Sequence, residues 1–303
     1  MLKIAFDKTY IYPLEKNHRF PMIKYELIPE QLLREGTCVD DNFFIPKQIS
    51  DEDALLTHQS DYFERLVSLS LTKSELRPIG FPMSKELVIR EKIISQGTID
   101  ATLFSLKNRI SMNIAGGTHH AFSDRGEAFC MLNDQAISAN YLIKNNLCKK
   151  VLIIDLDVHQ GNGTASIFKG IKNVFTLSFH GKNNYPFKKE DSDFDLAFED
   201  GVGDKHYLKK VKEILPRVID DFEPDFIFYL SGVDIMENDK LGKLSLSLDG
   251  CKERDKYVLN LCKSNSIPVQ VSMGGGYSLE LKNIIEAHSN TFRLAQEIFF
   301  SYS

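Results

Sequence analysis

Val151-Leu-Ile-Ile-Asp155-Leu-Asp157-Val-His159 decides how this chain is read. It begins as a short apolar run, the pattern of a strand buried on both faces. Polar groups then enter at every second position. Strand alternation puts Asp155, Asp157 and His159 on one face and Ile154, Leu156 and Val158 on the other. Two carboxylates and an imidazole leaving an apolar strand together are costly to bury without a cation. No Lys or Arg stands within the stretch to make a salt-bridge network of them. A divalent metal suits carboxylate oxygen and imidazole nitrogen, whether zinc or iron(II).

Working outward, similar apolar runs occur at Lys3–Phe6, Met112–Ala115, Val174–Phe179, Phe226–Leu230 and Val269–Met273. Helical spacing separates them. It is clearest over Lys85–Asn108, with Ser84 as N-cap, and recurs at Ala136–Lys144, His206–Phe222, Glu253–Lys263 and Ser278–Ala287. Strands alternating with helices predict an α/β fold, a parallel sheet covered by helices. No repeat, low-complexity tract or Pro/Gly/Ser linker divides the chain, so residues 1–303 read as one domain. The longest irregular stretches are Gly36–Ile49 and His180–Asp204; the second is polar and long enough to be functional.

Composition excludes several classes. The 303 residues are 43% hydrophobic, enough for one large core. No run approaches the ~18 apolar residues a membrane span needs. The first residues, Met1 to Tyr10, lack an apolar segment with a cleavage site, so a secreted product is not expected. Net charge is −5 with Lys and Arg dispersed, which argues against direct nucleic-acid binding. The five cysteines form no CxxC pair and read as buried or idle thiols in a reducing compartment. The expected setting is the cytoplasm, with the nucleus left open for a eukaryotic source. Nothing in the sequence fixes an oligomeric state.

Three further clusters follow strand ends, where open α/β sheets hold their ligands. Phe226–Leu230 runs through Ser-Gly-Val to Asp234. Alone, this Asp reads more readily as a helix cap. With Asp157 and His159 it completes three protein ligands and open positions, the arrangement of a catalytic metal. Asn113-Ile-Ala-Gly-Gly-Thr-His119-His120 offers an acid/base pair, a solvated loop pair or extra metal ligands. Asp155 is then left to orient one histidine. Met273-Gly-Gly275-Gly-Tyr277 allows close backbone approach and presents a phenol that can donate to an oxyanion, or else is a tight turn with a packing Tyr. Gly161-Asn-Gly163 lacks the third glycine of a dinucleotide fingerprint. His18, His58, His180, His206 and His288 read as ordinary surface or core histidines.

Taken in order, Gly117–Phe122, Asp155–Thr164, Leu230–Asp234 with Asn238–Gly242, and Gly274–Ser278 resemble the histone deacetylase family of metal-dependent deacylases. The resemblance runs from about Arg77 to Ser278. His18–Ile28, Ile79–Ser84 and Met236–Gly242 look most like the class IV and related bacterial branch. The resemblance implies an arginase/deacetylase-type three-layer sandwich, with an eight-stranded parallel sheet between helices. It implies Zn2+ (Fe2+ as the other candidate) on Asp157, His159 and Asp234. His119 and His120 match the family's proton-handling pair, with Asp155 and Asn162 as their partners, and Tyr277 matches the carbonyl-polarising tyrosine. Phe129 and Tyr185 match the tunnel aromatics, with Gly275 and Leu241 lining the substrate. A structural K+ is implied near Ser178 and Phe179. There are departures: Ala128 stands where Gly is usual, Tyr185 where Phe is usual, and Tyr12 where the family carries a rim histidine.

The implied reaction is hydrolysis of acyl-lysine amides on protein or peptide, acetyl and longer fatty acyl alike. Metal and Tyr277 polarise the carbonyl, and His120 moves the proton. Leu241 stands where acetylpolyamine-preferring relatives carry a Glu, which argues for lysine over polyamine substrates. The other readings are an acetylpolyamine or small acyl-amine deacetylase, a two-metal ureohydrolase, and a binding module that has lost catalysis.

Overall fold

The computed structural model describes residues 1–301. Its strands are β1 (Lys3–Ala5), β2 (Phe43–Phe44), β3 (Ile110–Asn113), β4 (Val151–Asp155), β5 (Val174–Gly181), β6 (Phe194–Phe198), β7 (Phe226–Leu230) and β8 (Val269–Ser272). They form one sheet in the order β2-β1-β3-β8-β7-β4-β5-β6. Every pairing is parallel. The helices are α1 (Lys24–Arg34), α2 (Asp51–Ala54), α3 (Ser60–Val67), α4 (Lys73–Ile79), α5 (Lys85–Asn108), α6 (Asp134–Lys144), α7 (Asn162–Phe168), α8 (Asp204–Phe222), α9 (Leu248–Ser264) and α10 (Leu281–Phe300).

The central strands are apolar on both sides because both sides are covered. Val151, Ile153, Phe226 and Phe228 cluster with Ala136, Ala139 and Leu142 of α6. The alternate residues Leu152, Ile154, Ile227 and Tyr229 join a larger core that includes α8 and α9. Local chemistry sets the helix ends. Ser84 Oγ accepts the Leu87 N–H at 3.2 Å to start α5, and Asn133 Oδ1 accepts the Ala136 N–H at 3.1 Å to start α6. No helix among the described residues is long and apolar enough to cross a membrane.

Several boundaries differ from the sequence reading. The strand expected at Met112–Ala115 is paired over Ile110–Asn113. Asn113 Oδ1 accepts the Ala115 N–H at 3.1 Å and turns the chain away. The strand expected to reach Val158 leaves the sheet at Asp155. Asp155 Oδ1 accepts the Asp157 N–H at 3.1 Å, and Asp157 Oδ1 accepts the His159 N–H at 2.9 Å. Such side-chain bonds compete with the ladder. Alternation therefore does not gather Asp155, Asp157 and His159; a loop built by their own carboxylates does. The helix expected at Ser278–Ala287 begins at Leu281 and runs to Phe300. The stretch His180–Asp204 contains β6, and Gly36–Ile49 contains β2.

Candidate active site

The loops after β3, β8, β7 and β4, four neighbours in the sheet, converge beyond its C-terminal edge. Asp157 and His159 follow β4, and Asp234 follows β7. One ligand atom from each lies within 4.8 Å of the others, and all three residues are buried. His159 Nδ1 is 3.0 Å from Asp157 Oδ1 and 3.1 Å from Asp234 Oδ2. Ligands ~2.0–2.1 Å from a tetrahedral zinc stand ~3.3 Å apart, so the spacing fits a metal. The carboxylates are held from behind: Asp157 Oδ2 accepts the Gly275 N–H at 2.8 Å, and Asp234 Oδ1 accepts the Val158 N–H at 3.0 Å. A Cβ at Gly275 would collide with both carboxylates, so only glycine fits there.

Electrostatics make the same demand. Burial, then the charge of Asp157, pushes Asp234 up to about 7. Burial opposes protonation of His159, but its bonds to Asp157 and Asp234 outweigh this and raise it to about 10. One imidazole between two buried carboxylates leaves negative charge that a divalent cation neutralises.

His119 and His120 follow β3, with ring centroids 4.1 Å apart. Thr118 fixes their loop, its N–H donating to Asp134 Oδ1 at 2.8 Å. The two rings have different partners. His119 Nδ1 meets the Asp155 carboxylate at 2.6 Å. His120 Nδ1 meets Asn162 Oδ1, also at 2.6 Å. Asn162 Nδ2 donates to Glu127 Oε2 at 3.3 Å, which fixes the amide orientation. His120 Nδ1 must therefore donate, leaving the Nε2 lone pair free. Burial lowers both imidazoles. For His119 the charge and hydrogen bond of Asp155 reverse this and raise it. For His120 the neighbouring histidines add to burial, and it falls well below its usual value.

Tyr277 follows β8, its ring 6.4 Å from that of His159. Burial, then the charges of Asp234 and Asp157, keeps its phenol protonated far above the usual range. His119, His120, Asp157, His159 and Tyr277 line a pocket of about 460 Å³ that also takes in Phe129, Tyr185, Gly275 and Leu241, with Asp155, Asn162 and Asp234 behind it. Phe129 packs on Phe81 at 5.0 Å and Phe20 at 5.2 Å. Tyr185 lies 5.0 Å from the His120 ring and donates to Glu127 Oε2 at 2.5 Å. Ala128 and Phe129 both have left-handed backbones, φ 43° and 68°. Ala128 thus occupies a conformation that favours glycine.

The structure brings every residue singled out for the site to this one pocket or directly behind it. Tyr12 is not among the pocket-lining residues; its hydroxyl is 3.0 Å from Ser84 Oγ. The ring of His18 stacks on Phe81 at 5.6 Å behind the tunnel wall, as a packed histidine does. Sequence reasoning missed Arg254 and Lys24. Arg254, fully buried in α9, donates to the carbonyls of Leu156 and Gly232 at 3.0 and 2.6 Å, bracing both ligand loops. Lys24, also fully buried, donates to Gly274 O at 3.1 Å. Burial lowers it to about 8 against the pull of Asp234 and Asp157. Both read locally as surface charges on amphipathic helices, and no short-range pattern marks them.

A family model, the histone deacetylase domain, matches residues 14–292. An uncharacterized protein of Picosynechococcus sp. is 37% identical over 297 residues, covering 98% of this chain and 99% of that one. Histone deacetylase 2 of Arabidopsis thaliana is 28% identical over 292 residues, covering 93% of this chain and 75% of its own. The crystal structure of an HDAC homologue complexed with SAHA superposes with a TM-score of 0.83 at 25% identity, covering 99% of this chain and 84% of that one. The chain belongs to the histone deacetylase family, whose members are metal-dependent deacetylases.

Proposed function

We propose that residues 1–303 act as one catalytic domain that hydrolyses acyl-lysine amides of peptides or proteins, with zinc held by Asp157, His159 and Asp234. The observation that carries this reading is the pocket itself. Its foot holds three converging ligands, two differently partnered histidines and a protonated phenol, and its walls are aromatic. When bound, a divalent metal supplies Lewis acidity and brings water's pKa toward neutrality.

His120 is the base. It is neutral at pH 7, and Asn162 leaves its Nε2 free to accept a proton from water. Asp155 orients His119 and raises its affinity for a proton, favouring the positive form beside the reacting carbonyl. Tyr277 donates its O–H to the oxyanion of the tetrahedral intermediate. His120 then returns its proton to the departing lysine amine. Phe129, Tyr185 and Leu241 enclose the lysine stem and exclude water. The products are a free amine and a carboxylic acid.

The ligand chemistry accepts iron(II) as well as zinc. A structural K+ near Ser178 is supported by the burial of Ser178 and its register with Asp155. A class IV-like position rests on His18–Ile28, Ile79–Ser84 and Met236–Gly242. Five free, buried cysteines support a cytoplasmic setting. The second reading, an acetylpolyamine deacetylase, is disfavoured by apolar Leu241 in the pocket lining.

The test is elemental analysis with an acyl-length panel on one lysine peptide, run beside N8-acetylspermidine. About one transition metal per chain is expected, with turnover lost on chelation and peptides preferred by kcat/KM. Full activity after chelation overturns the reading; a polyamine preference of about tenfold overturns the choice of lysine.

A further inference from the structure

The exposed charged side chains that line the pocket, Arg19 and Lys243, are both cationic. Arg19 lines it, exposed, with its guanidinium 4.9 Å above the Phe129 ring. It forms no ion pair among the described residues. Lys243 lines the same pocket two residues beyond Leu241. Its carboxylate neighbour, Asp200, is 3.9 Å away, with about half of each side chain in solvent. Asn183 and Phe187 add no charge to the lining. Asp157, a metal ligand at the foot, is the sole carboxylate lining the pocket among the described residues.

Stacking on Phe129 preorders the Arg19 guanidinium and leaves its N–H fork unoccupied, the geometry that binds a carboxylate through two hydrogen bonds. The metal ligands are buried and Arg19 is exposed, so the fork stands at the solvent end of the aromatic wall. A lysine stem lying along Phe129 brings its Cα, and whatever the Cα carries, toward Arg19.

We propose that Arg19, assisted by Lys243, selects acyl-amines that carry a carboxylate at the far end of the stem. The inference deepens the deacylase reading and rests on it. The carboxylate has two sources: the α-carboxylate of a free Nε-acyl amino acid, or an Asp or Glu beside an acyl-lysine in a peptide. The same fork repels the distal ammonium of a polyamine.

The experiment uses the zinc-loaded full chain and a single acyl group, acetyl. Nα,Nε-diacetyl-lysine carries the carboxylate, its α-amide is neutral, and N-acetylcadaverine carries an ammonium. Two peptides place acetyl-lysine between glutamates or between lysines. For wild type, kcat/KM should favour the carboxylate over the amide about tenfold, mostly through KM, as expected for a charge-assisted bond made before the chemical step. The preference should shrink as salt shortens the Debye length to ~3 Å near 1 M. Arg19→Ala should bring the ratio close to one, and Arg19→Glu should invert it toward the ammonium. Ratios taken within each enzyme cancel any general loss of activity. A gain in the monomer arm supports the free amino acid as source; a gain confined to the glutamate peptide supports the protein source. No wild-type preference in either arm, neither carboxylate over amide nor glutamate peptide over lysine peptide, or an unchanged ratio in Arg19→Glu, overturns the proposal while leaving the deacylase reading intact. No turnover of any arm overturns that reading itself.

Discussion

Two buried polar clusters lie back to back behind the same loops, and they are built on opposite rules. In the first, Arg254 Nε donates to Asp255 Oδ1 at 2.8 Å, and its remaining donors reach the carbonyls of Leu156, Gly232 and Ser231 and the Cys251 sulfur. Asp255 also accepts from Tyr229 at 2.5 Å and Thr291 at 2.6 Å. Charge cancels and the donors are used. In the second, Asp157, Asp234 and His159 share too few protons for their charge. A saturated cluster holds a fold together; an unsaturated one is arranged for something that arrives from outside. Because Arg254 grips Leu156 and Gly232, the first cluster also positions the second.

The largest expected effect comes from Asp234→Asn. Metal content and turnover should both be lost. Metal-free stability at pH 7 should hold or rise, because a carboxylate raised by burial and by Asp157 is removed. Elemental analysis and urea unfolding of the apo protein test this; a fall in apo stability above ~2 kcal/mol would break the contrast.

The opposite outcome is expected for Arg254→Met. Leaving the Asp255 charge buried without its partner should cost about 3–5 kcal/mol. The double variant Arg254→Met/Asp255→Leu should recover much of that loss, since an ion pair and its apolar replacement are often near parity. Urea midpoints of the single and double variants measure it. A single variant as stable as wild type would show that the saturated cluster is not structural.

Tyr277→Phe separates the two roles within the active cluster. Metal content and stability should stay near wild type, while kcat falls ~10²–10³-fold through loss of one oxyanion donor. A near wild-type kcat would mean that another group performs this task.

His58 is an intermediate case. It is buried, its Nε2 accepts the Asn133 N–H at 3.0 Å, and its Nδ1 has no partner. Burial lowers it to about 4 from the usual 6.5. The unfolded chain therefore binds the extra proton between those values. Stability from this group is full above about 6.5 and is lost as pH falls toward 4, by up to about 3 kcal/mol. His58→Gln should flatten that part of the stability–pH curve, read by urea melts at pH 7, 6 and 5. An unchanged slope would assign it to other groups, His180 first, which burial also lowers to about 4.

How far the sequence could be read follows the same division. The site was legible because its parts are contiguous motifs: each ligand, histidine and phenol sits within a few residues of a strand end. Phe226–Leu230 and Lys85–Asn108 were legible to the residue, one from an unbroken apolar run and the other from helical spacing with a Ser cap. β6 was hidden by its acidic surroundings, although Phe194, Leu196 and Phe198 do alternate. The ends of β3 and β4 were misread because Asn113, Asp155 and Asp157 bond their own backbone, which apolar patterning does not register. Arg254 and Lys24 stayed illegible because their burial is a property of how distant helices pack.

The strand order has a consequence for synthesis. β3 and β4 leave the ribosome within 45 residues of each other, yet they are not neighbours; β7 and β8, made later, fill the gap between them. At ~5–20 residues per second, the interval from Asp155 to Ser272 lasts roughly 6–24 s. Until β7 and β8 have been made, β3 and β4 each expose an unpaired apolar edge; Asp234 arrives only with the segment after β7, and Tyr277 only after β8. Chains arrested before Val269 should remain open to proteolysis on both sides of the gap, and the released full-length chain should not. The order that brings four loops to one point also means that a nascent chain ending before β8 lacks that point.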